Sequence, residues 1–397
     1  MGSPIREYFD RLGSEVDSRW SAVGRRPGSL SGIASDVLTE VPMPNGLDAT
    51  AVLDCLVRDD GMPVQRHPSD PFGEPPTVMY FNQGLEVQAL TWLDGSTVIH
   101  DHGFDGAFRV AQGSSLHVEY SFLPGESLAD GRLHIGELTM RSSEVLVAGD
   151  VRPIVSGAEF IHALFHLECP SLTIVVRNMP SETTAPQLEY RQPGLAFEDT
   201  RSEARLSMRL RGLRSLRRVD PDEADRAVRE LVDTEDLWTG FRVIDSWFEQ
   251  FGMDSALHGA LDVLGRRYGP LIPVLEAMLD DHGRRKRIMQ RRSMLDQQPH
   301  RLLMALVVNL PGGSAVQSAV EQIFPGEDSA QKVICLIEEM ASPAYRGVSG
   351  LKVGPAELDT VRSLIRQNHM GEALRELGPE WHAPTSGDAM RFLEERT

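Results

Sequence analysis

Half of the chain's histidines lie close together in one stretch. Six of the twelve fall between His100 and His166, in a chain of 397 residues. Imidazole is a ligand for zinc, copper, iron and nickel, so such a group can hold a metal ion. His100 and His102 are separated by one residue, which on a β-strand turns both side chains to the same face, about 7 Å apart along the strand. The spacing predicts two imidazoles aimed at one ion.

A third ligand has to come from another strand, since three ligands on one strand cannot converge on one ion. Residues 159–167 form an apolar, strand-like run that contains His162 and His166. These two histidines share a face but lie about 13 Å apart on an extended strand, so only one of them can join the site. We take His162 as the third ligand. We take His166 as a catalytic or ligand-orienting group, with plain packing as the alternative.

These residues resemble the motifs of the cupin superfamily, which read G-x5-H-x-H-x3-4-E-x6-G and G-x5-P-x-G-x2-H-x3-N. The first motif is matched at His100, His102 and Gly113. Gly106 or Ala107 stands where typical cupins carry a glutamate ligand. Thiol dioxygenases, the cysteine dioxygenase-like branch, also lack this glutamate and bind ferrous iron with three histidines. The resemblance is therefore to that branch.

The resemblance covers residues 77–180 and implies both a fold and a chemistry. The fold is the cupin-type double-stranded β-helix, a jelly-roll barrel. The implied site is iron(II) held by His100, His102 and His162, with dioxygen as co-substrate and a small molecule as substrate. Zinc, nickel and copper are the alternative metals, because imidazole suits all of them.

Departures from the branch concern the residues that would hold the substrate. No arginine for a substrate carboxylate stands at residues 79–82, and residues 177–179 have no counterpart of the tyrosine that follows the third histidine. The cysteine that cross-links to that tyrosine in animal enzymes is absent as well. In the second motif, His166 stands where the family has asparagine. We therefore expect a substrate other than cysteine.

Other side chains are candidates for the substrate pocket and for catalysis. Trp92, Phe104 and Phe108 share the inward face with the histidine pair and are candidate pocket walls, unless they are simply core. Tyr190, together with His166, is the candidate catalytic group. Two other classes stay open: a non-oxidative metal-dependent cupin enzyme, such as an isomerase or lyase, and a non-enzymatic cupin that serves as a sensor or assembly protein.

Composition and charge disfavour several functions. Lys and Arg number 40 against 58 Asp and Glu, and the net charge of −18 argues against binding to nucleic acid phosphates. The three cysteines are widely spaced, which argues against a disulfide framework and favours a cytoplasmic location. No apolar run approaches the roughly eighteen residues of a membrane span, so none is expected.

The sequence predicts an α+β multidomain protein of three parts. The first part is helical, and the second forms the barrel. Residues 1–62 read as short helices that pack on the barrel, with Asp48 as an N-cap. Residues 63–198 contain short strand-like runs with turn signals at Pro124-Gly125 and Asp130-Gly131, and form the barrel domain. The remaining histidines of this part, His117 and His134, are expected to be solvated strand residues.

The third part, residues 199–397, reads as an all-α domain that follows a linker at residues 180–193. Asp220 and Pro221 predict a helix start, and the last helix is predicted at residues 389–395. The basic run 284–287, with Arg291 and Arg292, predicts a solvated helix face paired with nearby aspartates, and a binding patch is the alternative. Covering the barrel mouth, forming a homodimer and binding a carrier or peptide are alternative roles for this domain.

Overall fold

The computed structural model describes residues 4–378 and Trp381, with short gaps. The gaps are residues 27, 67–71, 94–96, 180–184, 199–202, 293, 296, 311–312, 346–348, 350 and 352. In the described part of the chain, three helices come first and the strands follow. Every regular element after residue 198 in that part is helical.

The strands form two antiparallel sheets. Their bounds are β1 Pro76–Asn82, β2 Leu85–Trp92, β3 Ile99–His102, β4 Gly106–Gln112, β5 Ser114–Leu128, β6 Leu133–Val147, β7 Val151–Ile154, β8 Gly157–His166, β9 Ser171–Asn178, β10 Leu188–Arg191 and β11 Leu195–Glu198. In one sheet, the strands pair in the order β1, β2, β9, β4, β7, and the other six close into a barrel in the order β10, β11, β6, β5, β8, β3.

The helices lie on either side of the strands in the sequence. Their bounds are α1 Pro4–Ala22, α2 Ser29–Glu40, α3 Ala49–Arg58, α4 Ala204–Val219, α5 Pro221–Thr234, α6 Leu237–Phe251, α7 Ser255–Tyr268, α8 Ile272–Arg292, α9 Gln298–Asn309, α10 Gly313–Ile323, α11 Ser329–Ala341, α12 Pro355–Arg366 and α13 Met370–Glu376. The predicted fold class, a cupin-type antiparallel barrel followed by an all-helical region, is confirmed. The helix predicted at residues 389–395 lies outside the described residues.

The chain divides into two compact units, each assembled from separate segments. The first consists of Met1–Tyr120, Met140–Gln187 and Arg291–Gly378, and we call it the histidine unit. The second consists of Ser121–Thr139, Leu188–Gln290 and Pro379–Thr397, and we call it the helical unit. The domain boundaries drawn from the sequence, at residues 62/63 and 198/199, stay a prediction.

Within the histidine unit, the N-terminal helices bury their apolar faces on one sheet. Phe9 and Leu12 of α1 and Val37 of α2 are fully buried in one cluster with Val87 and Ile174 from the strands. Each such side chain contributes about 2 kcal/mol through the area that it removes from water. Asp48 is the N-cap of α3 and accepts a hydrogen bond from the Ala51 amide, as the sequence predicts.

The opposite face of the same strands contributes to a second cluster, the inner cluster, which draws residues from both sheets. Successive side chains of a strand point to opposite faces. The odd-numbered residues of β2 therefore pack against the N-terminal helices, and Leu90 and Trp92 point to the other face. The predicted pocket residues all belong to this cluster, whose members are Leu90, Trp92, Phe104, Phe108, Val110, Leu146, Ile154, Leu164 and Val175.

Two predictions about connections are wrong. Pro124-Gly125 is not a turn, because β5 runs through it to Leu128. A Cβ atom at Gly136 of β6 would overlap the Leu123 carbonyl oxygen of β5. Because glycine has no Cβ atom, the two backbones can approach each other closely here. The linker or strap predicted at residues 180–193 contains a strand from Leu188 to Arg191, which pairs with β11, and residues 180–184 lie outside the described part.

The helical unit has a core of its own, built on N-capped helices. Asp220, Asp236 and Asp254 each accept a hydrogen bond from the backbone amide three residues later, at the starts of α5, α6 and α7. Leucines and aromatic residues such as Phe241 and Trp247 fill the core. The basic run on α8 is not simply a solvated face, since Arg284 is buried and ion-paired with the buried Asp281.

Candidate metal centre

Strand pairing brings the three predicted ligands together. β3 and β8 run antiparallel, and His100 is the direct partner of His162 in their register. The register shifts after this pair, and His102 is then opposite Gly157. All three histidines are buried, and their ligand atoms lie within 4.8 Å of one another. Their role as metal ligands stays a prediction, but the structure gives them the proximity that the role requires.

The ring nitrogens have the spacing of ligands around one ion. The Nε2 atoms of His102 and His162 are 2.9 Å apart. Two nitrogens bound at right angles to one metal, each at about 2.1 Å, lie about 3 Å apart. The Nδ1 atom of His100 lies 2.8 Å from the Val98 carbonyl oxygen, to which it donates, so the lone pair of this ring is on Nε2. These contacts fit a site formed by Nε2 atoms.

Burial keeps the site in the protonation state that metals bind. Desolvation lowers the pKa of His102 well below 6.5, with smaller contributions from His100, Arg177 and His117. Desolvation likewise lowers the pKa of His162 well below that value, assisted by His100 and His102. Because ligand histidines have to be neutral, neither His102 nor His162 needs to lose a proton before a metal binds at neutral pH.

Aromatic rings surround the histidines. The ring centroids of Phe72 and His100 are 4.8 Å apart, those of Phe104 and His102 are 4.7 Å apart, and those of Phe160 and His162 are 4.5 Å apart. An apolar surround of this kind limits water access and controls the chemistry of a bound metal. Phe104 and Phe108 thus lie beside the histidines, but their contact with a substrate stays a prediction.

His117 is not the solvated residue that the sequence predicts. Its side chain is 1% exposed, and its Nε2 atom lies 3.0 Å from Nδ1 of His162. Its Nδ1 atom lies 3.1 Å from Oε1 of Glu144. The sequence contains no local signal for this position, because only the pairing of β5 with β8, in which Ser115 is opposite His166, places His117 on the side of the histidines.

His166 is buried on β8, next to other partners. Its Nδ1 atom lies 2.9 Å from the hydroxyl oxygens of both Ser115 and Ser171, and its ring stacks on Trp92 with centroids 4.5 Å apart. Burial, and secondarily the charge of Arg292, lowers the pKa of His166 to about 3. Its Nε2 atom has no hydrogen-bond partner among the described residues. Its catalytic role stays a prediction.

Tyr190, the other predicted catalytic residue, lies on β10 in the helical unit. Its side chain is 2% exposed, and its ring meets Phe122 edge to face with centroids 5.3 Å apart. The catalytic role of Tyr190 stays a prediction.

The position at which typical cupins carry a glutamate ligand has no room for a side chain. A Cβ atom at Gly106 would overlap the Val176 carbonyl oxygen, because β4 and β9 approach closely there. Its neighbour Ala107 is fully buried against the N-terminal helices. Neither position can supply a carboxylate ligand in this backbone, which is compatible with the prediction that histidines alone are the ligands.

Comparisons with known proteins are limited to solved structures. No protein-family model matches the chain, and no curated protein matches it. A cupin-2 domain protein from Shewanella frigidimarina is 18% identical over 26% of this chain and 79% of its own, with a TM-score of 0.18. An oxalate oxidase bound to glycolate is 20% identical over 29% of this chain and 46% of its own, with a TM-score of 0.18.

A structure of DMSP lyases is 20% identical over 26% of this chain and 43% of its own, again with a TM-score of 0.18. This chain thus spans less than half of the oxidase and lyase chains. At TM-scores this low, the fold class depends on the strands of this chain itself. None of the described helices is long and apolar enough to cross a membrane.

Proposed function

We propose that this chain is a metal-dependent cupin enzyme that binds iron(II) through His100, His102 and His162 and oxygenates a small molecule with dioxygen. The observation that carries the proposal is the convergence of three buried imidazoles from two strands, with two Nε2 atoms 2.9 Å apart. Burying polar rings together costs free energy unless they are satisfied, and a metal ion satisfies them at one point.

The donor set is compatible with the oxygenase, and the resemblance to thiol dioxygenases is what favours iron over the other metals that imidazole binds. Three neutral histidines leave up to three positions of an octahedral ion for other molecules, and imidazole suits iron. When bound, the metal would supply sites at which the substrate and dioxygen are held side by side. The glycine that replaces the usual glutamate supports the resemblance to thiol dioxygenases, since that branch also relies on histidines alone.

The chain's own residues have defined tasks in this proposal. The backbone carbonyl of Val98 orients His100, and the phenylalanine rings at positions 72, 104 and 160 restrict water around the histidines. Exclusion of water strengthens electrostatic interactions with a bound substrate. A small-molecule substrate other than cysteine, a homodimer through the helical region and a cytoplasmic location stay predictions from the sequence.

Metal analysis of anaerobically purified protein tests the proposal. We expect about one iron per chain, and we expect His100→Ala and His162→Ala to abolish stoichiometric binding because each removes one of three ligands. His258→Ala is the matched control, since His258 is exposed on α7. Full metal content in both ligand variants would show that the site is assigned wrongly.

Oxygen uptake separates the oxygenase from the alternatives. Iron-loaded protein should consume dioxygen with at least one member of a panel of small thiols, and cysteine should be a poor substrate. Metal-bound protein that transforms a compound without oxygen uptake would instead favour the isomerase or lyase class. Protein that retains no metal would favour a sensor or assembly role.

A further inference from the structure

A chain of contacts leads from the buried histidines of the proposed metal site to a partly buried carboxylate. His162 contacts His117 through Nδ1 at 3.0 Å, and His117 contacts Glu144 through its own Nδ1 at 3.1 Å. Arg152 closes the chain, since its Nε atom donates to Oε1 of Glu144 at 2.8 Å. All four residues belong to the histidine unit. The order His162, His117, Glu144, Arg152 is therefore a continuous hydrogen-bonded path.

The hydrogen-bonding capacities of these groups determine where each proton is. An ionised carboxylate only accepts, so His117 has to carry a hydrogen on Nδ1 to reach Glu144. Hydrogen bonds from His117 and Arg152 lower the pKa of Glu144 to about 2, which keeps it ionised. A neutral His117 then has its lone pair on Nε2 and accepts from His162 Nδ1. His162 in turn has its lone pair on Nε2, the atom that faces His102.

We propose that His117, held by Glu144, is a positioning residue that fixes the ring orientation and tautomer of His162 for metal binding. The inference rests on the proposed metal site. Histidine ligands of metals generally donate their second ring nitrogen to an outer partner, and loss of that partner typically weakens metal affinity about 10- to 100-fold. His100 has such a partner in the Val98 carbonyl, and His117 is the corresponding partner of His162.

A second metal site at the same residues is the competing reading. Among the described residues, His117, Glu119 and Glu144 form another group whose ligand atoms lie within 4.8 Å of one another. The guanidinium of Arg152, however, already donates to Glu144 and supplies the positive charge that a metal ion would bring. The nitrogen of His117 that faces Glu144 carries a hydrogen in this arrangement, so it has no lone pair for a metal. The geometry therefore favours positioning.

Cobalt(II) titration of the metal-free protein tests the inference. We expect His117→Phe to weaken cobalt binding about 10- to 100-fold, because phenylalanine keeps the ring but removes both contacts. His117→Gln should bind within about fivefold of the original protein, since a glutamine carbonyl can accept from His162 Nδ1. His258→Gln, on an exposed helix face, is the control and should bind as the original protein does.

Nitrogen NMR of zinc-bound, ¹⁵N-histidine-labelled protein gives a second readout, and its main result comes from the original protein without any substitution. We expect His162 to show a protonated Nδ1 and a metal-bound Nε2. Glu144→Gln should reduce the protection of that Nδ1 hydrogen from exchange. A His162 that binds the metal through Nδ1 in the original protein would overturn the assignment of His117.

The outcomes separate this inference from the function on which it rests. If His100→Ala abolishes cobalt binding but His117→Phe binds as tightly as the original protein, the positioning role is wrong and the metal site stands. If the original protein fails to bind cobalt, or His100→Ala binds it equally well, both the proposed function and the inference fail.

Discussion

The histidine unit and the helical unit bury titratable side chains in opposite ways. In the helical unit, the buried Asp245 is flanked by Arg191 and Arg242, so charges of opposite sign meet. Burial by itself raises the pKa of Asp245, but the attraction of Arg191 and Arg242 outweighs it, and the pKa lies below its usual value. In the histidine unit, like groups meet, and His102 and His162 stay neutral instead of finding counter-charges.

The ion-paired side chains of the helical unit are thus arranged for stability, and the neutral histidines of the histidine unit are arranged for binding a ligand. Paired charges satisfy each other and leave nothing for a ligand to add. Neutral imidazoles that converge on one point have no counter-charge there, and a cation placed between them would be bound by all of them at once. The first arrangement should therefore respond to substitution through stability, and the second through metal affinity and pH.

The largest effect is expected where an ion pair is broken. Asp245→Asn removes the buried carboxylate that the partly buried Arg191 and Arg242 both contact, and we expect it to destabilise the protein by about 3–5 kcal/mol. Urea unfolding followed by tryptophan fluorescence measures this loss. Asp222→Asn, at an exposed position of α5, is the control and should change stability by less than about 1 kcal/mol. A loss below about 1 kcal/mol in Asp245→Asn would remove the contrast between the units.

Acid should destabilise the metal-free protein through the histidine unit. His102, His162 and His166 have folded-state pKa values below the 6.5 of the unfolded chain, that of His166 being about 3. Below pH 6.5 the unfolded state gains protons that the folded state does not, so stability is present above that pH and is lost as pH falls. Each histidine contributes on the order of 1 kcal/mol per pH unit between pH 6.5 and its folded pKa.

Unfolding in urea between pH 7 and pH 5, at constant ionic strength, checks this slope. The window lies above the ordinary pKa values of Asp245 and Glu144 in the unfolded chain, 3.8 and 4.5, and their folded pKa values are lower still, so these carboxyl groups add little to the slope. His166→Phe should make the slope shallower by one histidine's share. A stability that stays flat from pH 7 to pH 5 would contradict the neutral, buried state of these rings.

The smallest effects are expected from a matched pair of glycines. Gly106→Ala should destabilise the histidine unit by about 1–3 kcal/mol, because the new methyl group meets the Val176 carbonyl oxygen and the strands have to shift. Gly212→Ala, at an exposed position of α4 with open space around it, should stabilise the helical unit by up to about 1 kcal/mol. Thermal unfolding measures both. Equal effects of one sign would show that close strand approach does not determine the residue at position 106.

Local spacing accounts for what the sequence could predict. The alternation of a strand placed His100 and His102 on one face, and an apolar run marked the strand of His162. Helix starts at Asp48 and Asp220 followed from cap chemistry in the same way. These features depend on neighbours in the chain, so the residues themselves contain the information.

Pairing over long distances in the sequence accounts for what could not be predicted. His117 reaches His162 only because β5 takes one register on β8, and Glu144 reaches His117 from yet another strand. Pro124 has the residue type of a turn, but β5 continues through it, because Gly136 on the neighbouring strand leaves room for its backbone. Such outcomes depend on which strands meet, and no short stretch of residues determines that.

The segmented composition of the histidine unit has a consequence for biosynthesis. Its first segment ends at Tyr120 and its last begins only at Arg291, so the unit is incomplete until the C-terminal segment has left the ribosome. At about 5–20 residues per second, that interval lasts on the order of ten seconds or more. From residue 166 onward, the strands that carry His100 and His162 are both made but lack part of their packing until the last segment follows.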